Sequence, residues 1–334
     1  MRMDRAFTVL AAALLAAALA GVVTHAAPAP APAGSALPPS GTEPGTRRGP
    51  QSSVLPTVPP AASTQAQADP PVLLALTALS PAHPTADRLA AIGQLTALAQ
   101  HGNAFAEYVI GSLYMWGRQR PHALLPYDES LARKYLSNAA IRGELSAMEA
   151  LAQLDLRTRH PLQAMIWAQT LVFYHHRLQP AQKRAVGYLP ELVAHAQEQL
   201  TTTQEAKLLA DVNGVLVRYG PRIEAALHAS APELPAACRT RRIAPQGTVP
   251  DFFRPGRWKH VPRAASLVMI YAVDPAGRIV DHAIINVLPN WHVRYQMRYP
   301  LAIMRFNPAP GCHGLRWVIQ SMHYIDHRYV MHWH

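Results

Sequence analysis

From about Val72 to Ala231 the apolar residues recur at helical spacing. Leu95, Leu98 and Ala99 form one such set, which stops at Gly102; Ala106, Tyr108, Ile110, Gly111, Leu113, Tyr114 and Gly117 follow. Ala132, Tyr135, Leu136, Ala139 and Ala140 repeat the first set, stop at Gly143, and are followed by Ala147, Leu151 and Ala152. Gly102 and Gly143 are 41 residues apart, as are Ala106 and Ala147, and a third half-unit begins at Ala164, Trp167 and Ala168. Stripes with three-to-four spacing are one-sided helices. Self-similarity at this period predicts stacked helix pairs, each burying its apolar face on its neighbours. Ala139 and Ala140 let a neighbouring helix approach closely, and Gly143 can take the left-handed conformation that ends a helix. Gly187–Gln199 and Thr203–Ser230 continue as helices that cap the stack, the second starting near Thr203 and Glu205. Gly220-Pro221 is expected to break or kink it, because Pro221 lacks an interior donor.

Beyond about Arg239 the pattern turns to β-branched and aromatic runs. Leu267–Val273 is one, Arg278–Val287 the next, and Asp274-Pro275-Ala276-Gly277 between them carries turn chemistry. Two such runs around a short Gly-containing turn predict a hairpin. A mixed segment ending Met304-Arg305-Phe306-Asn307-Pro308 is read as containing a helix, and Leu315–Tyr324 as the last strand. The fold class is therefore α+β and multidomain: a helical solenoid over 72–231, then a small antiparallel β-β-α-β domain over 236–330. The last strand is the candidate edge, with Arg316, Val318, Gln320 and Met322 as a partner-binding row. Leu315, Trp317 and Ile319 are expected to face the helix, while Arg316, Gln320 and Met322 face outward. There an extended peptide could add to the unpaired backbone, or Arg316 could simply keep the edge soluble.

The first 71 residues follow neither pattern. Arg2 and Arg5 precede an uncharged apolar run, Ala6–Val23, and Thr24-His25-Ala26 is a small-x-small site. This predicts a signal peptide over 1–26, or an uncleaved inner-membrane anchor, with membrane contact confined to residues 6–23. Either way the bulk of the chain is placed in the periplasm. Residues 27–71 hold 12 prolines among Ala, Ser, Thr and Gly. Such a segment stays extended and reaches on the order of 140 Å, so it is read as a spacer.

Two stretches resemble known families. Gly111-x-x-Tyr114-x-x-Gly117 and Ala132-x-x-Tyr135-x-x-x-Ala139-Ala140-x-x-Gly143 resemble the Sel1-like (TPR-like) repeat over about Ala91–Tyr174. That resemblance implies an α-solenoid used for protein–protein contact. Val273-Asp274-x-x-Gly277-Arg278-Ile279-Val280, then Arg305-Phe306-Asn307-Pro308 and the closing run 315–324, resemble the TonB C-terminal domain family. This second resemblance implies a partner-docking sheet.

Charge and chemistry refine that picture. Residues 236–334 hold 13 Lys+Arg against four Asp+Glu, a net +9 of the chain's +11. Outside the cytoplasm this points to an envelope protein, an outer-membrane receptor or an anionic envelope polymer as partner, and away from nucleic acid. Cys238 and Cys312 are the only cysteines, and an even pair in an oxidising compartment predicts a disulfide. Gly311-Cys312-His313-Gly314-Leu315-Arg316 is faintly similar to the Ser-x-Gly-Cys-x-Arg signature of L,D-transpeptidases, without its Ser and with a longer spacing. It is the basis of an alternative, a cysteine-dependent peptidoglycan-modifying enzyme. His323, His327, His332 and His334, and the pair His175-His176, imply no fixed metal geometry. No phosphate loop, His-Glu-x-x-His or Gly-x-Ser-x-Gly motif is present. The expectation is a non-enzymatic periplasmic adaptor without cofactor, with an anchored energy transducer as the other binding alternative.

Overall fold

In the computed structural model, residues 70–177, 188–229, 238–243, 262–297, 304–312 and 314–325 are described. The expected export segment, the expected spacer up to residue 69, and His327, His332 and His334 lie outside them. The described residues begin with eight α-helices: α1 (Pro70–Leu79), α2 (Thr85–Gln100), α3 (Ala104–Trp116), α4 (Glu129–Ile141), α5 (Leu145–Arg157), α6 (Pro161–Arg177), α7 (Leu189–Gln199) and α8 (Thr202–His228). Five strands follow: β1 (Arg242–Ile243), β2 (Ala264–Val273), β3 (Ile279–Leu288), β4 (Arg305–Phe306) and β5 (Arg316–Ile325). All belong to one unit spanning residues 60–334. The chain is α+β.

The helix ends explain the 41-residue spacing. After α2, Gly102 has φ +84 and the Asn103 amide donates to Leu98 O at 3.0 Å. After α4, Gly143 has φ +87 and the Glu144 amide donates to Ala139 O at 3.0 Å. Both junctions satisfy late carbonyls through a left-handed residue, the chemistry glycine supplies. Asn103 then caps α3 by accepting from the Ala106 amide, and Asp128 caps α4 by accepting from Leu131. Ala139 and Ala140 are fully buried where α4 meets its neighbours.

Two expectations for the last helix change. It starts one residue before Thr203, from a Thr201–Gln204 capping box, in which each side chain bonds the other's amide. It also runs unbroken through Gly220-Pro221. Gly220 has no Cβ to clash with the proline ring, and the carbonyl left without its donor belongs to Val217, which is 81% exposed and open to water.

β2 is the central strand of a sheet ordered β3-β2-β5, antiparallel throughout, and all ten of its residues are buried. The predicted hairpin is present, β2 and β3 joined through Asp274–Arg278. Gly277 has φ +85, and a Cβ there would lie 2.0 Å from Phe306 O, so the turn admits no side chain. Asp274 accepts from the Arg278 amide and Nε, both at 2.8 Å. Where a helix was expected, Trp291–Met297 forms 3₁₀ turns, the other residues of that stretch up to 303 lying outside the described ones.

The segment 304–312 wraps this turn. Phe306 N donates to Gly277 O at 2.9 Å and Ala309 N to Pro275 O at 2.8 Å, and β4 pairs with β1. Asn307 reaches the Arg239 carbonyl and the Arg241 amide. The Cys238 and Cys312 sulfurs stand at disulfide distance, buried with Ala309.

Candidate functional site

The two faces of the sheet follow from register. Ser266, Val268, Ile270 and Ala272 share one face with Asn286 and Asp281 of β3 and with Trp317, Ile319, Ser321 and His323 of β5. The helices meet that face. Ser80 donates to Asp281 at 2.9 Å, with His83 Nε2 3.3 Å from its other oxygen. Trp116 Nε1 of α3 donates to Asn286 Oδ1, and Ser266 donates to Glu149 of α5 at 3.0 Å.

The β3 edge is capped over Ile284 and Ile285. A register shift opposite Val268 and Met269 leaves Ile285 as an extra residue in β3. Arg120, from the connection after α3, enters there and donates to the Ile285 carbonyl at 3.1 Å and to Ile284 O. Its guanidinium lies 5.0 Å over Trp291, which meets Trp116 edge-on, and Arg157 covers the other ring at 4.5 Å. Burial first, and then the neighbouring Arg88, push Arg120 down to about 9. Arg88 fixes the same connection by donating to the His122 carbonyl at 2.7 Å and to Ala78 O.

β5 is the opposite edge. Its ten residues pair with β2 in unbroken register, from Arg316 opposite Val273 to Ile325 opposite Ala264. No described strand lies on its other side. The candidate row does not sit as expected. Arg316 is 2% exposed, and its Nη2 donates to Asp274 O at 3.1 Å and Asn307 O at 2.8 Å. Buried turn carbonyls need donors, and Arg316 supplies them instead of facing water. Met322 is also buried, its sulfur 3.5 Å from the Tyr271 hydroxyl. Val318 and Gln320 are half-buried between them, and on the helix-facing side Trp317 and Ile319 are half-buried too. With Arg316 drawn inward, β5 presents no Lys, Glu, Asp or Pro along its length.

The remaining candidate chemistry is not assembled. Cys312 is buried with its sulfur at bonding distance from Cys238, so in this state it has no free thiolate. His175 and His176 sit in the last turn of α6, and the described residues hold no group of three metal-capable side chains. A shallow cleft of about 580 Å³ lies along Glu129, Ser130, Arg133, Lys134 and Ser137. Arg133 is already committed there to Asp155, Glu129 and Thr158. No described helix is long and apolar enough to cross a membrane.

Comparison of the chain with protein-family models, curated proteins and solved structures finds no match. Sequence reasoning missed the seam between the helices and the sheet, formed by Trp116, Arg120, Glu149 and Ser266. Its signals were a lone carboxylate, Glu149, inside the apolar run Ala147–Ala152, and a connection after Gly117 longer than the other turns between helices.

Proposed function

We propose that this chain is a non-enzymatic adaptor of the cell envelope that receives an extended segment of a partner protein along β5. The observation that carries this reading is the contrast between the two edges. β3 is bulged and capped by Arg120, whereas β5 is long and regular, turns its one arginine inward, and has no described strand on its outer side. An unguarded edge of this kind recruits another strand. The sequence adds an export segment, a Pro/Ala spacer, Sel1-like helix pairs as a second contact surface and a TonB-C-like sheet, a set suited to an exported docking protein. An anchored energy transducer shares that docking mode and differs only in keeping residues 1–26.

A photo-crosslinking side chain at Gln320, in the full chain expressed in cells, tests the reading. Protein adducts are expected from Gln320 and not from Val280, an exposed side chain of β3. Equal capture at both positions, or none at Gln320, would sink it.

A further inference from the structure

We propose that Glu149 is a proton-operated latch between α5 and the sheet: protonated, it lets the seam close on Ser266, and ionised, it loosens that seam and the β2–β5 pairing beside it. Glu149 lies among Ala147, Met148, Ala150 and Leu151, all essentially inaccessible, and is itself 7% exposed. One carboxyl oxygen accepts from Ser266 at 3.0 Å, and the other, Oε1, makes no hydrogen bond among the described residues. A buried carboxylate with a single neutral donor is poorly compensated, whereas the neutral acid is at ease there. Burial pushes this carboxyl up to about 7, the Ser266 bond pulling more weakly the other way.

The surroundings supply little counter-charge. One turn along α5, Gln153 accepts from the Tyr188 hydroxyl just ahead of α7. Burial, Glu149 and Glu191 all hold that phenol in its neutral form. Within α5, Asp155 is bound to Arg133 of α4, and Arg157 lies over Trp116 of α3. From α6 the buried polar groups are the neutral Gln169 and Thr170, and from β3 the neutral Asn286. From β5, His323 stands directly across from Ser266. Ser266 therefore bonds the latch through its side chain and pairs with the edge strand through its backbone, and this couples protonation at α5 to the β2–β5 pairing.

The sign follows from linkage. Below the ordinary glutamate range, about 4.3, folded and unfolded chains both hold the proton and nothing is lost. Between there and about 7 the folded chain keeps a proton that the unfolded chain releases, so stability falls as pH rises, and the loss is complete above 7.

Hydrogen exchange of the full chain, corrected for intrinsic rates, tests this at pH 5.5 and 8. Opening of the 264–273 and 316–325 amides is expected to rise roughly thirtyfold at the higher pH, the roughly 1.5 units between 5.5 and about 7 counting tenfold per unit. Glu149→Gln should abolish the rise and His323→Gln should leave it. Ser266→Ala provides an independent reading: losing its bond to the carboxylate should move the midpoint to higher pH. A rise that persists in Glu149→Gln, vanishes in His323→Gln, or keeps its midpoint in Ser266→Ala overturns the latch.

Discussion

Arg316 donates to the backbone carbonyl of Asp274 at 3.1 Å, so the last strand begins by gripping the turn between the first two. The same Nη2 holds Asn307 O, while Nε and Nη1 are buried without hydrogen bonds among the described residues. Arg316→Ala should destabilise the chain by about 3 kcal/mol, read as a lower midpoint in urea, because two buried carbonyls lose a charged donor. Arg316→Lys should recover only part of this, since an ammonium cannot reproduce the fork. An unchanged midpoint in both variants would mean that water replaces the guanidinium.

Gly277→Ala should cost at least about 2 kcal/mol, through its positive φ and the missing space beneath Phe306 O. Equilibrium unfolding measures it. Gly214, in α8 with nothing near its Cβ position, should gain about 0.5–1 kcal/mol from the same substitution.

The Asp274 carboxyl is held below its usual range, chiefly by the Arg278 amide, with the Arg278 side chain adding to it. A carboxyl lowered by folding stabilises above its unfolded value, about 3.9, and loses that contribution as pH falls through its folded value. Melts of wild type and Asp274→Asn should therefore differ at pH 5 and converge toward pH 2. A constant offset across that range would contradict the assignment.

Reducing the Cys238–Cys312 link, which closes 74 residues, should lower stability by about 4 kcal/mol in the chain-entropy model. Unfolding with and without reductant, alongside a thiol count, gives the result. Two reactive thiols before any reductant is added would contradict it.

Arg120→Lys should loosen β3 locally while leaving the helices folded. Amide exchange at 284–287 should rise at least several-fold, since the fork to Ile284 and Ile285 and the cover on Trp291 are lost together. Exchange unchanged there would show that the bulge does not depend on Arg120.

Local chemistry made much of this fold legible. Gly143 and the Asp274–Gly277 turn are positions where backbone geometry restricts residue type, so the residue type announced the structure. Periodicity likewise found α3, α4 and α5. What could not be read was set by long-range partners. Arg316 looks like an edge charge until the 304–312 segment folds over it. Pro221 looks like a helix breaker until Gly220 and an open carbonyl at Val217 remove the conflict. Trp116, Arg120, Glu149 and Ser266 are individually unremarkable residues whose meaning lies in partners more than 100 residues away.

β2 also acquires its two neighbours on different terms. β3 reaches it through a tight turn, whereas β5 must close the whole stretch 274–315 before its first pair forms. Loop closure makes the short connection the faster one. The hairpin is thus expected to form first and β5 to join it later. During that interval β2 itself is the bare edge, apolar along most of its length. The strand that completes this sheet therefore also serves as its chaperone, shielding β2 from any neighbouring chain.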